Sequence, residues 1–202
     1  METPANFKKV VHVPSDGVKL RDETVLLPDN LKSGVDRVLI SEGCIRERVK
    51  ALAAEICKGK KEIHAVVVLR GAVIFFSDLI RHMSCDVSFD FVKVSSYEGT
   101  APSGSFILES DMLDDVKDKE ILLVDDIIDT GNTPKRLKEF LLDRKMAKSV
   151  KICSLLDKPA RRKNNIRPDY TGFVVPDLFV VGYGMDCDGK FRNLPFIAAI
   201  GD

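Results

Sequence analysis

Residues 121–133 read ILLVDDIIDTGNT. An apolar run meets three carboxylates, Asp125, Asp126 and Asp129, and a small polar turn follows. Carboxylates are costly to bury without partners, so three of them at the end of an apolar run suggest a ligand. One chemistry for these letters is magnesium and diphosphate binding by a DDxxD on a helix. Another is sugar binding at a strand tip beside an anion-binding turn.

The surroundings separate the two. ILLV reads as a buried strand, and DTGNTP leads into the helical pattern Leu137, Phe140, Leu141. The helical DDxxD belongs to larger, all-helical proteins. A dehalogenase-type phosphatase needs Asp-x-Asp, and this chain has Asp-Asp. A plain acidic turn leaves TGNTP unexplained. Ligands of parallel α/β sheets bind beyond the carboxyl ends of strands. The unpaired N–H groups and dipole of a helix N-terminus there favour an anion. Gly131 allows close approach, and Thr130 and Thr133 add hydroxyl donors. A sugar phosphate satisfies both halves: phosphate to the amides, hydroxyls to Asp125 and Asp126.

Around this motif strand and helix alternate. Ser41 suits a cap for a helix whose apolar residues Ile45, Val49, Leu52, Ala53 and Ile56 recur at helical spacing, with Gly59 as a stop. HAVVVL (64–69) is a short strand and AVIFFSDLIRHM (72–83) a helix. DVSFDFVKV (86–94) alternates as a strand with one wetter face. Residues 95–106, SSYEGTAPSGSF, have loop chemistry. EILLV, SVKICSLL, YTGFVVP and DLFVVGYG read as further strands, and Thr133 with Pro134 suits the start of a helix. The pattern is α/β with a mainly parallel sheet flanked by helices.

Bulk properties exclude several classes. The chain has 202 residues, 45% hydrophobic and 31% charged, which suits one soluble domain. Thirty-one basic and 31 acidic residues cancel, arguing against a general nucleic-acid surface. No apolar run approaches the roughly 20 residues of a membrane span. The N-terminus lacks a signal-peptide apolar core. The five cysteines (Cys44, Cys57, Cys85, Cys153, Cys187) include no CxxC pair. They read as free thiols in a cytoplasmic protein. The three histidines are scattered, against a histidine metal site or a Ser-His-Asp triad.

ILLVDDIIDTGNT resembles the phosphoribosyl-diphosphate (PRPP) motif of type I phosphoribosyltransferases. Three further stretches, in the expected order, resemble the hypoxanthine-guanine branch. They are VVLRGAVIFFSDL (67–79), VSSYEGT (94–100), and LLDKPARR (155–162) with PDLFVVGYGMDCDGKFRNLP (176–195). The resemblance covers roughly residues 35–200. It implies a single domain with a core over about 38–175, a small hood from about 1–37 and 176–202, and a mobile lid over 95–106.

The resemblance also implies an activity and roles. The reaction is purine salvage: a 5-phosphoribosyl group moves from PRPP to N9 of a 6-oxopurine, releasing pyrophosphate. Asp125 and Asp126 would hold the ribose hydroxyls directly or through Mg2+. Asp129 would be the general acid/base near purine N7. Thr130, Gly131, Asn132 and Thr133 would cradle the 5′-phosphate. Lys158 would meet O6, Phe179 would stack on the base, and Val180 would read its edge. Asp186 would bind a second Mg2+, and Arg192 would contact pyrophosphate. Arg70 and Gly71 form the pyrophosphate loop, where the family often has a non-proline cis peptide. Ser96 and Tyr97 belong to the lid. Relatives form dimers or tetramers with the segment around Arg70 near the interface.

Two departures stand out: Arg70 replaces a commoner lysine, and Asp125 a commoner glutamate. Aspartates without His or Cys partners suit a hard cation. The alternatives are a PRPP-sensing regulator of the same fold and a xanthine-preferring transferase. Asp129, Lys158 and Asp186 together favour the enzyme, and the N-terminal segment shows no basic helix that would suit a regulator.

Overall fold

The computed structural model describes residues 1–4, 6–27, 34–96, 106–110 and 115–201. The strands are β1 (Val11–His12), β2 (Arg37–Ile40), β3 (Glu62–Leu69), β4 (Asp86–Ser96), β5 (Phe106–Ser110), β6 (Glu120–Ile128), β7 (Ser149–Asp157), β8 (Tyr170–Val174), β9 (Phe179–Val181) and β10 (Ile197–Ile200). The helices are α1 (Glu42–Cys57), α2 (Ala72–His82) and α3 (Asn132–Asp143).

Seven strands form the main sheet in the order β1-β8-β7-β6-β3-β4-β5, all parallel except β5 at the edge. Central strands β3 and β6 are buried on both faces because helices cover both sides. Alternate residues go to opposite cores. Ala65, Val67, Leu122 and Val124 join the apolar faces of α1 and α2. Val66, Val68, Ile121 and Leu123 join Leu137 and Leu141 of α3. Each such fully buried leucine contributes about 2 kcal/mol.

β3 and β6 are neighbours, but their chains leave in opposite directions, through α2 to β4 and through α3 to β7. Adjacent strands whose connections diverge leave a crevice at their carboxyl ends. Arg70 and Gly71 follow β3 and the acidic motif ends β6, so both open into that crevice.

A second, antiparallel sheet in the order β2-β10-β9 stands over the main one. It has a small core of its own, with Val35, Val181, Leu194, Phe196 and Ala198. The N-terminal segment expected in the hood is divided, since β1 pairs with β8 on the main sheet. Buried Arg48 of α1 ties these parts together, pairing with Glu55 at 2.6 Å and donating to the carbonyls of Phe7, Thr171 and Gly172.

Several local expectations are corrected. β6 continues through both aspartates to Ile128, because β7 pairs with it that far. The cap of α3 is Gly131, with φ +80°, and not Thr133, which lies inside the helix. Ser95, Ser96 and Phe106 are strand residues paired across β4 and β5, where loop was expected. Residues 97–105, Tyr97 among them, lie outside the described residues. Cys57 and Cys85 form a disulfide between the end of α1 and the start of β4, so the expectation of five free thiols fails for these two. Among the described residues no helix is long and apolar enough to cross a membrane.

Candidate active site

The carboxyl ends of β3, β6 and β7 gather most of the residues singled out in the sequence. Asp125 is buried on β6 with 5% of its surface exposed, while Asp126 is half-buried. Asp125 Oδ1 accepts from the Asp126 N–H at 3.1 Å, and Asp126 Oδ1 from the Ile127 N–H at 3.0 Å. Burial, and then the neighbouring Asp126 charge, hold the Asp125 carboxyl well above the usual carboxylate range. Burial also raises Asp126, opposed in part by the Arg192 charge. Both shifts favour a ligand that brings positive charge or hydroxyl donors to the pair.

Gly71 caps α2 at the end of β3, and the Leu69–Arg70 peptide is cis. A Cβ on Gly71 would fall 1.7 Å from Asp126 Oδ2, so only glycine lets the two segments touch this way. Arg70 is exposed beside it.

The turn after β6 is held from behind. Arg162 donates to the carbonyls of Asp129 at 3.0 Å and Ile128 at 3.2 Å, and also bonds the Ile166 carbonyl and the Asp157 carboxylate. The Thr130 carbonyl accepts from the Lys163 N–H at 3.0 Å and from Asn164 Nδ2 at 3.3 Å. Asn164 also reaches Asn132 Oδ1 at 3.2 Å. With these carbonyls engaged from outside, the turn is fixed at the N-terminus of α3, a place where a helix favours an anion, and the Asn132 N–H meets Thr130 Oγ1 at 3.3 Å. Gly131 is left-handed there, and a Cβ on it would meet Asn164 at 2.6 Å.

Asp129 lies in that turn. Its Oδ2 is 3.4 Å from the Arg161 guanidinium. Its Oδ1 is buried and has no hydrogen-bond partner among the described residues.

Lys158, at the end of β7, is 4% exposed and not the solvated surface lysine that its type alone would suggest. Its Nζ donates to the Leu178 carbonyl at 2.7 Å and lies 3.8 Å from Asp177. Phe179 opens β9 and is 55% exposed, while Val180 is buried and sits opposite Ala199 in the β9–β10 ladder. Asp186 pairs with Arg192 at 2.7 Å and accepts the Gly189 N–H at 2.8 Å. Arg192 also donates to the Gly184 carbonyl at 2.6 Å.

Comparison with known proteins fits this geometry. The phosphoribosyl transferase domain profile matches residues 41–188. Hypoxanthine-guanine phosphoribosyltransferases of Lactococcus lactis and Bacillus subtilis are each 44% identical to this chain, over 178 and 173 residues. These alignments cover 87% and 84% of this chain and 96% of each relative. This chain belongs to the hypoxanthine-guanine phosphoribosyltransferase family. Among solved members, the Bacillus anthracis hypoxanthine-guanine phosphoribosyltransferase has 43% identity and a TM-score of 0.78, covering 83% of this chain and 99% of that one. A Staphylococcus aureus hypoxanthine phosphoribosyltransferase has 37% identity and a TM-score of 0.81, covering 87% and 97%.

In this phosphoribosyltransferase the donor set fits Mg2+. Two adjacent aspartates, offering oxygen donors alone, suit a hard, oxygen-seeking cation. Asp186 is engaged by Arg192, and among the described residues no three acidic, His or Cys groups converge on one point. Asp125, Asp126 and Asp186 therefore do not form one shared metal site.

Sequence reasoning missed Arg161, Arg162 and Asn164. The available signal was the basic and amide-rich run RRKNN, which follows β7 at the same carboxyl edge. The side chain of Ser96 is not described.

Proposed function

We propose that this transferase moves the 5-phosphoribosyl group of PRPP to N9 of hypoxanthine or guanine, forming IMP or GMP and pyrophosphate. The observation that carries the reading is buried Lys158 on the same rim as Asp129, whose Oδ1 lacks a donor. A cation at O6 and an acceptor at N7 together describe a 6-oxopurine. Adenine would turn an amino group toward Lys158 and leave it unmatched.

The purine N9 lone pair attacks C1′ of the ribose as the C1′–O bond to pyrophosphate breaks. The N7 proton passes to the Asp129 carboxylate. Lys158 donates to O6 and draws charge from the ring, and Phe179 stacks against its face. Asp125 and Asp126 bind the 2′- and 3′-hydroxyls, and the turn 129–133 receives the 5′-phosphate. Arg70, Gly71 and Arg192 face the leaving pyrophosphate. Asp125 and Asp126, and separately Asp186, would hold Mg2+, which when bound would supply charge neutralisation for the pyrophosphate. The segment around Ser96 and Tyr97 would exclude water from the oxocarbenium-like centre. We place the enzyme in the cytoplasm as a homodimer or homotetramer.

The test is purified protein with PRPP, Mg2+ and, separately, hypoxanthine, guanine, xanthine and adenine. Nucleotide from hypoxanthine and guanine is expected. Xanthine preference would move the reading to a xanthine enzyme, and adenine preference would overturn the role of Lys158. PRPP binding without product from any base would favour a PRPP-sensing regulator.

A further inference from the structure

We infer that Tyr183 is a positioning residue: its hydroxyl, held by Asp78 of α2, seats the 182–185 turn on Gly71 and so fixes Arg192 on the pyrophosphate side of the site. The inference rests on the purine-transfer reading, in which Gly71 and Arg192 meet the leaving pyrophosphate.

Gly71 is met from two sides. Asp126 fills its Cβ direction, and Gly184 lies against its carbonyl. A Cβ on Gly184 would fall 2.2 Å from the Gly71 carbonyl oxygen and 3.7 Å from Ile74 Cβ. Gly184 has φ +102°, so space and backbone both demand glycine there. The same glycine holds Arg192. Its carbonyl accepts from Arg192 Nη1 at 2.6 Å, and its N–H donates to the Arg192 carbonyl at 2.9 Å. Arg192 in turn pairs with Asp186 at 2.7 Å. The seat of Gly184 on α2 therefore decides where the Arg192 guanidinium stands relative to Gly71 and Asp126.

Backbone bonds tie the turn to the hood. Gly182 and Met185 exchange N–H···O bonds of 3.0 and 3.1 Å, and the Tyr183 N–H donates to the Leu194 carbonyl at 2.8 Å. The Tyr183 side chain reaches the other way. Its hydroxyl donates to Asp78 Oδ2 at 2.6 Å, about two helical turns along α2 from Gly71. Arg81 Nη2 occupies Asp78 Oδ1 at 2.5 Å and leaves Oδ2 to the tyrosine. Tyr183 is 6% exposed and has φ +50°. A bulky residue in the left-handed region is uncommon and persists only where its surroundings hold it. Burial, and then the bond to Asp78, push its hydroxyl far above the ordinary tyrosine range, so it keeps the proton that it donates.

The test is the reverse reaction, IMP with pyrophosphate and Mg2+, in Tyr183→Phe, Asp78→Leu, Asp78→Asn and the Tyr183→Phe/Asp78→Leu pair. Tyr183→Phe is expected to raise the KM for pyrophosphate about tenfold, the scale of losing a hydrogen bond to a charged group. The KM for IMP should stay within about twofold, since IMP makes no use of the pyrophosphate side. Asp78→Leu should act like Tyr183→Phe. Asp78→Asn keeps an acceptor for the hydroxyl and should recover most of the affinity. The double variant should lose no more than about twofold beyond Tyr183→Phe, because one contact is broken in each. A staple that serves the fold alone would lower the melting temperature and weaken IMP and pyrophosphate alike, and that result overturns the inference. An unchanged KM for pyrophosphate in Tyr183→Phe overturns it too, as do losses that multiply in the double variant. If Tyr183→Phe folds poorly, the contrast between Asp78→Leu and Asp78→Asn decides. A parent chain that makes no IMP in the forward direction fails the purine-transfer reading itself and is seen before any variant is made.

Discussion

Gly71 and Asp126 touch across the β3–β6 crevice so closely that a Cβ on the glycine would lie 1.7 Å from the carboxylate oxygen. The Arg70–Gly71 turn and the Asp125–Asp126 pair are therefore one surface. Gly71 has φ −62° and ψ −36°, which alanine adopts without strain. Gly71→Ala should act only by pushing Asp126 aside. The KM for PRPP is expected to rise at least about tenfold, the scale of displacing a binding group. Initial rates against PRPP concentration check this, and an unchanged KM contradicts the shared surface.

Asp125 is held protonation-prone by burial, so it opposes folding at neutral pH. Because its folded pKa is raised, it favours the folded state most at low pH, and that contribution is lost as pH rises through the elevated value. Asp125→Asn is expected to raise the melting temperature at neutral pH while lowering activity. A gain of 1 kcal/mol corresponds to about 2–4 °C in a chain of this size. The difference from the parent should shrink as pH falls through the raised Asp125 pKa, where the parent carboxyl gains its proton. Thermal melts across pH test the sign, and a variant less stable than the parent at neutral pH contradicts it.

Lys158 has one hydrogen bond to the Leu178 carbonyl and a second contact at Asp177, which leaves an ammonium donor for substrate. Lys158→Gln should lower kcat/KM with hypoxanthine by about 100-fold, as for loss of a donor to developing charge. Adenine should lose much less. Parallel assays with both bases decide, and equal losses would make Lys158 structural.

Arg162 holds three carbonyls and the Asp157 carboxylate and is 11% exposed on its side chain. Arg162→Ala leaves Asp157 without this partner, at a cost of about 3 kcal/mol. A lower denaturation midpoint and weaker PRPP binding are expected together. Loss of stability with PRPP affinity intact would separate Arg162 from the phosphate turn.

The parts that read from sequence were those with dense local signals. The apolar runs of β3 and β6, the Ser41 cap and the spacing of Ile45, Val49, Leu52 and Ile56 specify their elements within a few residues. β5 and β10 escaped because short strands depend on distant partners, β4 for one and β2 and β9 for the other. The Cys57–Cys85 pairing, 28 residues apart with no spacing motif, left no trace either. At the site, the aspartates were legible because carboxylates after an apolar run demand a reason. Arg161, Arg162 and Asn164 were not, since their partners are set by β6 and β7 lying side by side.

The assignment of Asp129 to the base, and of Asp125 and Asp126 to the sugar, is tested most directly by Asp129→Asn. Formation of IMP and pyrophosphate from PRPP and hypoxanthine is measured alongside PRPP binding. The account predicts equal amounts of both products from the parent chain. In Asp129→Asn it predicts turnover lowered about 10²–10⁴-fold, the contribution of a general acid/base, with PRPP affinity nearly kept. Equal loss of turnover and PRPP affinity would contradict it and make Asp129 a third sugar-phosphate ligand.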